Sequence, residues 1–214
     1  MTLHPETCDY FFIRHAPVEK PSGVVPPANP PIKALTYDVT ALVDQLPKGA
    51  VWYISPLLRT QQTADLLIPS LEPAGKSIPS PDLVEMDFGE WHGQPVSDIW
   101  PQIEAGPLHN WSFITADRQP PGGENFLSQI ARVKGWMNQE ESNFSVQPKV
   151  VMAHAGILRA ALALALGGQP DQAVGIPIPH FGVLKLTLMD PALATAAGGC
   201  WQFVGLSDPM VTMG

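Results

Sequence analysis

The chain has 214 residues, of which 45% are hydrophobic, and its 12 Lys and Arg against 20 Asp and Glu give a formal net charge of −8. This composition is typical of a globular protein, and the negative charge argues against a surface for nucleic acid or anionic membranes. No run of about 18 apolar residues is present and the first residues lack the pattern of a signal peptide, so we predict a cytoplasmic protein without membrane or nucleic-acid partners.

The cysteines and histidines indicate neither a disulfide framework nor a metal site. Cys8 and Cys200 lie in two strand-like segments near opposite ends of the chain. Two free thiols are favoured over a disulfide in a cytoplasmic protein. The histidines are scattered, without the spacing of metal ligands. We therefore predict no metal and no other cofactor.

The first predicted strand is the aromatic and β-branched run Cys8–Ile13, which ends in Arg14 and His15. Open α/β sheets place their ligand sites at the carboxyl ends of strands, so this guanidinium and this imidazole are expected at a ligand site. Our hypothesis is that His15 accepts a phosphoryl group and that Arg14 holds its oxygens. The next loop carries six prolines between residues 17 and 31 and is expected to wrap one side of the site.

A helix, a strand and a second helix are predicted next. Apolar spacing predicts a helix over Ile32–Leu46, and a second strand follows at Ala50–Ile54. The next helix is predicted over Leu57–Ile68, with Ser55 as its N-cap. Arg59 falls in the first turn of that helix, which also places it at the carboxyl edge of the sheet.

The middle of the chain is predicted to be largely irregular. A Pro- and Ser-rich connection contains a short edge strand near Ser77-Ile78, and residues 82–125 form an irregular covering insertion with one helix at Val96–Glu104. The two histidines of this insertion are expected to be solvated. A longer amphipathic helix is predicted over Glu124–Asn138.

The last third returns to strands and helices. Lys149–Ala153 is a predicted strand that ends in His154, followed by an apolar helix over Ile157–Leu166. Two more strands are predicted at Val183–Leu188 and Trp201–Val204. The order of elements predicts one domain over residues 1–214, an α/β fold with a mostly parallel central sheet between helical layers.

Three predicted strand ends carry groups that can bind an anion. These are Arg14 with His15, Ser55 with Arg59, and His154. Taken singly, a histidine after a strand is more often structural, and an arginine in a helix more often lies on its surface. If the strands are neighbours, however, the three ends converge, and the helix after His154 adds free backbone N–H groups. The conjunction therefore favours an anion pocket.

Five ordered sequence blocks resemble the histidine phosphatase superfamily, in its phosphoglycerate-mutase-like branch 1. The blocks are Ile13-Arg14-His15, the Ser-x-x-x-Arg-x-x-Gln-Thr-Ala pattern of Ser55 to Ala64, the segment from Leu83 to Gly93, the segment from Pro121 to Asn125, and the strand and turn from Val150 to Gly156. The resemblance implies a phosphoglycerate-mutase-like α/β/α sandwich. It also implies a metal-independent phosphatase of the histidine acid type.

The resemblance implies a role for each matched residue. His15 would attack phosphorus and form a phosphohistidine that water hydrolyses. Arg14, Arg59, His154 and Ala155 would bind the phosphoryl oxygens and stabilise their charge.

Glu85 lies in the third block and is the candidate general acid for the leaving oxygen. A carboxyl beside a bound phosphate is expected to stay protonated near neutral pH. Asp87 and Glu90 are nearby alternatives, and the block alignment favours Glu85. The alternative interpretation is that Glu85 is an exposed surface acid without a catalytic role.

The loop after His15 departs from the common family pattern. The run from Arg14 to Val18 resembles Arg-His-x-Pro-Val, found in a branch that includes α-ribazole phosphatase-like members, although the residues from Val24 onward do not match that branch. Between Glu85 and Glu124 the only Lys or Arg is Arg118. That scarcity favours hydrolysis over mutase action, because the mutases of the family hold a sugar-acid carboxylate with several bases.

We therefore predict a phosphomonoester hydrolase acting on a small phosphorylated metabolite, with inorganic phosphate as the product it releases. A phosphoglycerate mutase is the alternative enzyme. A catalytically silent phosphate- or phosphopeptide-binding module is the alternative from another class. The sequence leaves open whether the chain forms a homodimer.

Overall fold

A computed structural model describes residues 6–73, 75–194 and 197–214 of the chain. Six strands form the central sheet and two short strands form a second sheet. In chain order they are β1 (Thr7–Arg14), β2 (Tyr37–Asp38), β3 (Val51–Ile54), β4 (Ser77–Pro79), β5 (Lys149–Ala153), β6 (Val183–Met189), β7 (Trp201–Ser207) and β8 (Thr212–Met213). The predicted strands of the central sheet are confirmed, with ends that shift by no more than three residues.

Helices follow or connect these strands. They are α1 (Thr40–Val43), α2 (Leu58–Leu67), α3 (Val96–Glu104), α4 (Phe126–Ser142), α5 (Ala155–Leu166) and α6 (Pro170–Val174). The prediction of α3 is confirmed to the residue, and α4 extends four residues beyond the predicted end. Asn125 caps α4, since its side chain accepts a hydrogen bond from the backbone N–H of Ser128 at 2.9 Å.

The central sheet is mostly parallel. Its order is β4-β3-β5-β1-β6-β7, in which the first four strands run parallel and β6 alone runs opposite to the others. Ile13 of β1 and Ile54 of β3 both pair with Met152 of β5. Because these three strands are in register, they end at the same height along the sheet. The residues that follow them are therefore neighbours.

Alternate residues of the strands pack into two helical layers. Along β5, Val151 and Ala153 face the core that contains α4 and α5, while Val150 and Met152 face the core that contains α2. This two-residue period is the geometry of any β-strand, and burial on both faces explains why β5 is entirely apolar after Lys149. The architecture is a three-layer α/β/α sandwich.

The predicted helix over Ile32–Leu46 is wrong for most of its length. Helix is present only at Thr40–Val43, while Ile32 bridges to Val18, and Tyr37–Asp38 pairs with Thr212–Met213. The Asp38 side chain accepts the Thr40 N–H at 3.1 Å, a local bond that competes with helix formation. The apolar residues of this segment follow helical spacing, but their partners come from distant parts of the chain.

Cys8 and Cys200 are free thiols, as predicted, with Cys8 buried and Cys200 partly buried. Burial raises the pKa of Cys8 to about 11, so its thiol is neutral and inert at ordinary pH. None of the helices in the described ranges combines the length and the apolar character that a membrane crossing requires.

Candidate active site

The residues that follow β1, β3 and β5 form the floor of the candidate site. The backbone N–H of His15 donates to Ala153 O at 3.1 Å, and the N–H of Ser55 donates to Met152 O, also at 3.1 Å. The segments after β1 and β3 therefore stay hydrogen-bonded to the neighbouring strand β5 for one residue beyond the end of each strand. This continuation brings His15, Ser55 and His154 to one edge of the sheet, as parallel strands in register require.

His15 has the hydrogen-bonding pattern of a neutral nucleophile. Its ring Nδ1 lies 2.6 Å from the carbonyl oxygen of Ala16, so Nδ1 carries the hydrogen and donates it. The lone pair is then on Nε2, and His15 lines the cavity. Burial, and next the neighbouring His154, lower the pKa of His15 well below 6.5. The imidazole is thus uncharged at neutral pH.

His154 is fully buried beside His15, with ring centroids 5.1 Å apart. Its Nε2 lies 2.8 Å from Ser55 Oγ, and its Nδ1 is a buried atom without a partner in the part of the chain that the structure describes. The prediction that Ser55 is the N-cap of α2 is wrong. The N-cap is Leu57, whose side chain makes no capping hydrogen bond. The Ser55 hydroxyl is instead used to orient the imidazole of His154.

Two arginines bring permanent positive charge to the cavity. Arg14 donates from Nη1 to Ile178 O and from Nη2 to His180 Nε2 at 3.1 Å, while its buried Nε has no partner within the described ranges. Arg59 is 6% exposed and donates from Nη1 to Ala28 O, in the Pro-rich loop, at 3.1 Å. Burial lowers the pKa of both guanidiniums, that of Arg14 to about 10, so both remain cationic at neutral pH.

His180 is a third imidazole at the site; from the sequence it is only a weak candidate for the rim of the pocket, outside the predicted catalytic set. Its Nδ1 lies 2.9 Å from His15 O and its Nε2 accepts from Arg14, a pattern that requires the neutral tautomer with hydrogen on Nδ1. Burial, and next the charge of Arg14, lower the pKa of His180 to about 4. The following residue, Phe181, has φ of 61° and donates its N–H to Arg14 O at 2.9 Å. This turn holds His180 against both residues of the Arg-His pair.

Glu85 is held at the cavity wall by groups from α4 and α5. Its Oε1 accepts from Gln129 Nε2 at 2.9 Å and from its neighbour Met86 N at 3.1 Å, and its Oε2 accepts from Gly156 N at 3.3 Å. A Cβ on Gly156 would lie 2.3 Å from Glu85 Oε1, so glycine is needed for this approach. Glu85 is therefore partly buried, and the alternative interpretation of an exposed surface acid is wrong.

Helix α5 begins at Ala155, directly after His154, but Ala155 does not line the cavity in the described part of the chain. The backbone N–H of Gly156 serves Glu85. The sequence predicts that the free N–H groups of this helix face the anion. Gly156 differs because its N–H already donates to the neighbouring carboxylate of Glu85.

The rival acids lie in more open positions. Glu90 is exposed, and the side chain of Asp87 is 61% exposed and pairs with His92 at 2.9 Å. The prediction that His92 is solvated is wrong: its side chain is 21% exposed, and its Nδ1 lies 2.9 Å from Pro26 O. The pair thus links the insertion at residues 82–125, which we call the covering segment, to the Pro-rich loop.

Several of these groups line a cavity of about 410 Å³, which we call the phosphoryl cavity; the fully buried His154 is not among its described lining residues. Its polar lining residues are Arg14, His15, Lys20, Arg59, Glu85, Asp87, His92 and His180. Across the described ranges, three or more His, Cys, Asp or Glu are nowhere grouped so as to hold a metal ion. The arrangement combines a neutral imidazole, two guanidiniums and a carboxyl group. This set suits the binding and transfer of a phosphoryl group.

Comparison with known proteins gives a family and several relatives. The model of the histidine phosphatase superfamily (branch 1) matches residues 11–195. A 2,3-bisphosphoglycerate-dependent phosphoglycerate mutase of Azorhizobium caulinodans is 32% identical over 137 residues, which span 60% of this chain and 66%, just under two thirds, of that mutase.

Solved structures with the same fold include two phosphatases. The α-ribazole phosphatase of Shigella flexneri superposes with a TM-score of 0.72 at 18% identity, covering 94% of this chain and 96% of the other. A mycobacterial glucosyl-3-phosphoglycerate phosphatase superposes with a TM-score of 0.69 at 16% identity, covering 92% and 97%. At these identities the likeness establishes the fold.

Proposed function

The chain belongs to the histidine phosphatase superfamily, and on that premise we propose that it hydrolyses a small phosphomonoester through a phosphohistidine at His15. The observation that carries the proposal is the bond from His15 Nδ1 to Ala16 O, which leaves the Nε2 lone pair free in a cavity that also contains Arg14 and Arg59. A neutral imidazole next to two fixed cations can attack a bound phosphate dianion without first losing a proton.

In the first step, His15 Nε2 forms a bond to phosphorus while the bond from phosphorus to the ester oxygen breaks. Arg14 and Arg59 stabilise the charge on the equatorial oxygens, as permanent cations with several donors each. His154 Nδ1 is a further donor when the Ser55 hydroxyl donates to Nε2, since the ring hydrogen is then on Nδ1. Protonated Glu85 gives its proton to the departing oxygen.

Oε2 is the oxygen of Glu85 that we assign to this proton transfer. Two N–H donors bond to Oε1, whereas one longer bond, from Gly156 N at 3.3 Å, reaches Oε2. In the second step the Glu85 carboxylate takes a proton from water, whose oxygen bonds to phosphorus as the bond to Nε2 breaks. Inorganic phosphate leaves, and neutral His15 and protonated Glu85 are restored. In this scheme every proton is carried by a side chain or by water, so no proposed step requires a metal ion.

Hydrolysis is favoured over mutase action by the charge of the covering segment. Arg118 is the only Lys or Arg between Glu85 and Glu124. Its guanidinium donates hydrogen bonds to Gln102 O and Ile103 O, each at 3.4 Å. It does not line the phosphoryl cavity. The covering segment therefore places no Lys or Arg in the phosphoryl cavity, although the sequence relatives are named as mutases.

The test is the turnover of p-nitrophenyl phosphate by the wild type and by His15→Ala. We expect the variant to lose at least about 10⁴-fold in kcat, since loss of a nucleophile has effects of this order or larger, and we expect wild-type activity to persist in EDTA. Equal turnover in the two proteins would refute the role of His15. Conversion of 3- to 2-phosphoglycerate, stimulated by the bisphosphorylated compound, would identify the mutase. Thermal stabilisation by phosphate without any turnover would identify a silent binding module.

A further inference from the structure

A second cavity of about 200 Å³ adjoins the phosphoryl cavity. The two share three wall residues, Glu85, Met86 and Phe88. Because Glu85 is the proposed proton donor to the leaving oxygen, the group attached to that oxygen departs along this shared wall. We call the second cavity the leaving-group cavity.

The lining of the leaving-group cavity is mostly apolar and aromatic. Phe88, Phe113 and Phe126 contribute rings, and Met86, Ile114 and Val174 contribute aliphatic surface. Apart from Glu85, the only charged side chain among its described lining residues is Arg159. When Glu85 is protonated, this cavity therefore holds one positive charge in apolar surroundings. Such a pocket fits an apolar body with one precisely placed polar group.

Arg159 has donors available for that group. It is the only charged residue of α5, and it lies one turn after Gly156 on the same helical face. Its Nε donates to Ile176 O at 2.8 Å, and within the described ranges its two Nη groups have no hydrogen-bond acceptor. Arg159 is partly buried, and this burial lowers the pKa of its guanidinium, an effect that Glu85 opposes.

We infer that Arg159 binds a carboxylate on the alcohol portion of the substrate, so that the enzyme acts on phosphomonoesters whose alcohol has an apolar or aromatic body ending in a carboxylate. This inference rests on the proposed phosphatase function. A carboxylate matches the two-pronged fork of one guanidinium and carries one charge. A second phosphate carries nearly twice that charge, and the lining supplies no second cation for it.

The experiment compares two synthetic substrates of equal shape, 4-carboxyphenyl phosphate and 4-carbamoylphenyl phosphate. The measured quantity is the ratio of their kcat/KM values in the wild type, in Arg159→Gln and in the control Arg118→Gln. Any intrinsic difference between the two leaving groups cancels when this ratio is compared between proteins. We expect Arg159→Gln to lower the ratio by about tenfold or more, and Arg118→Gln to leave it unchanged, because Arg118 does not line this cavity.

Each outcome separates the inference from the proposed function. Turnover of both substrates with the same ratio in the wild type and Arg159→Gln would overturn the role of Arg159 and leave the phosphatase standing. No turnover of either substrate or of p-nitrophenyl phosphate would instead reject the proposed function itself.

If Arg159→Gln does not fold, inhibition of the wild type by the free alcohols gives a second test. We expect 4-hydroxybenzoate to inhibit hydrolysis of p-nitrophenyl phosphate about tenfold more strongly than 4-hydroxybenzamide. Equal inhibition by the two alcohols would overturn the inference.

Discussion

The phosphoryl cavity and the leaving-group cavity share a wall but are built in different ways. His15 follows a buried parallel strand whose register with its neighbours fixes the height at which the side chain lies. The leaving-group cavity is lined mainly by the covering segment and by helix faces, as Phe113 and Phe126 show. Under the proposed function, this difference assigns the reaction chemistry to the sheet edge, and substrate choice to the covering segment and to the helix faces, where Arg159 lies.

Replacement of Glu85 tests the wall between the two cavities and is expected to have the largest effect of the variants below. Glu85→Gln keeps the shape but cannot donate an acidic proton. We expect kcat for an alkyl phosphate to fall by about 10²- to 10⁴-fold, the usual contribution of a general acid. The loss for p-nitrophenyl phosphate should be much smaller, because p-nitrophenolate leaves without protonation. Equal losses for both esters, measured in one buffer, would exclude Glu85 as the acid.

His180 tests whether the phosphoryl cavity depends on a positioning residue. His180→Ala removes both the donor to His15 O and the acceptor for Arg14, and we expect kcat to fall by about tenfold to a hundredfold because both groups shift. His180→Asn keeps an amide N–H donor near the position of Nδ1, where the bond to His15 O is made. Recovery of most of the rate in His180→Asn supports positioning by hydrogen bonds. If the Asn variant is as slow as the Ala variant, this role is wrong.

The smallest expected effect is the pH dependence of stability. His15, His154 and His180 all have a pKa below 6.5, the last at about 4, so the unfolded chain binds more protons than the folded one below pH 6.5. Their contribution is constant above that pH and is lost as the pH falls from 6.5 toward 4, by at most about 1.4 kcal/mol per pH unit for each histidine.

Urea unfolding between pH 7 and about 4.5, without phosphate, measures this slope. His180→Asn should have a shallower slope than the wild type, because one of the three histidines is absent. Identical slopes would show that His180 has an ordinary pKa in the folded protein. The substitution leaves the carboxylates in place, so their own titration largely cancels in the comparison.

The same comparison explains which parts of the molecule could be predicted from the sequence. The strand before His154 is an uninterrupted apolar run, and a strand buried on both faces needs that pattern, so Lys149–Ala153 was predicted to the residue. The predicted helix over Ile32–Leu46 failed because Tyr37–Asp38 pairs with β8, at the far end of the chain. Local periodicity carries no information about such a partner.

The contacts that Ser55 and His180 make at the site depend on residues that are distant in the chain. Ser55 had the local pattern of an N-cap, but its hydroxyl contacts His154, which lies 99 positions away. His180 reaches His15 through a turn that contains Phe181 at positive φ, an uncommon conformation for a large side chain. Arg159 did carry one usable signal, a single charge in an otherwise apolar helix. Such a charge requires partners or a function.

The central claim is that His15 carries the phosphoryl group, and chemical trapping tests it most directly. The protein is mixed briefly with a labelled phosphomonoester and denatured in alkali, where phosphohistidine survives, and peptides are then mapped. The proposed mechanism predicts one acid-labile phosphoryl group on His15 and none in His15→Ala. A labelled adduct on any other residue, or hydrolysis without a trapped adduct at any mixing time, would contradict it.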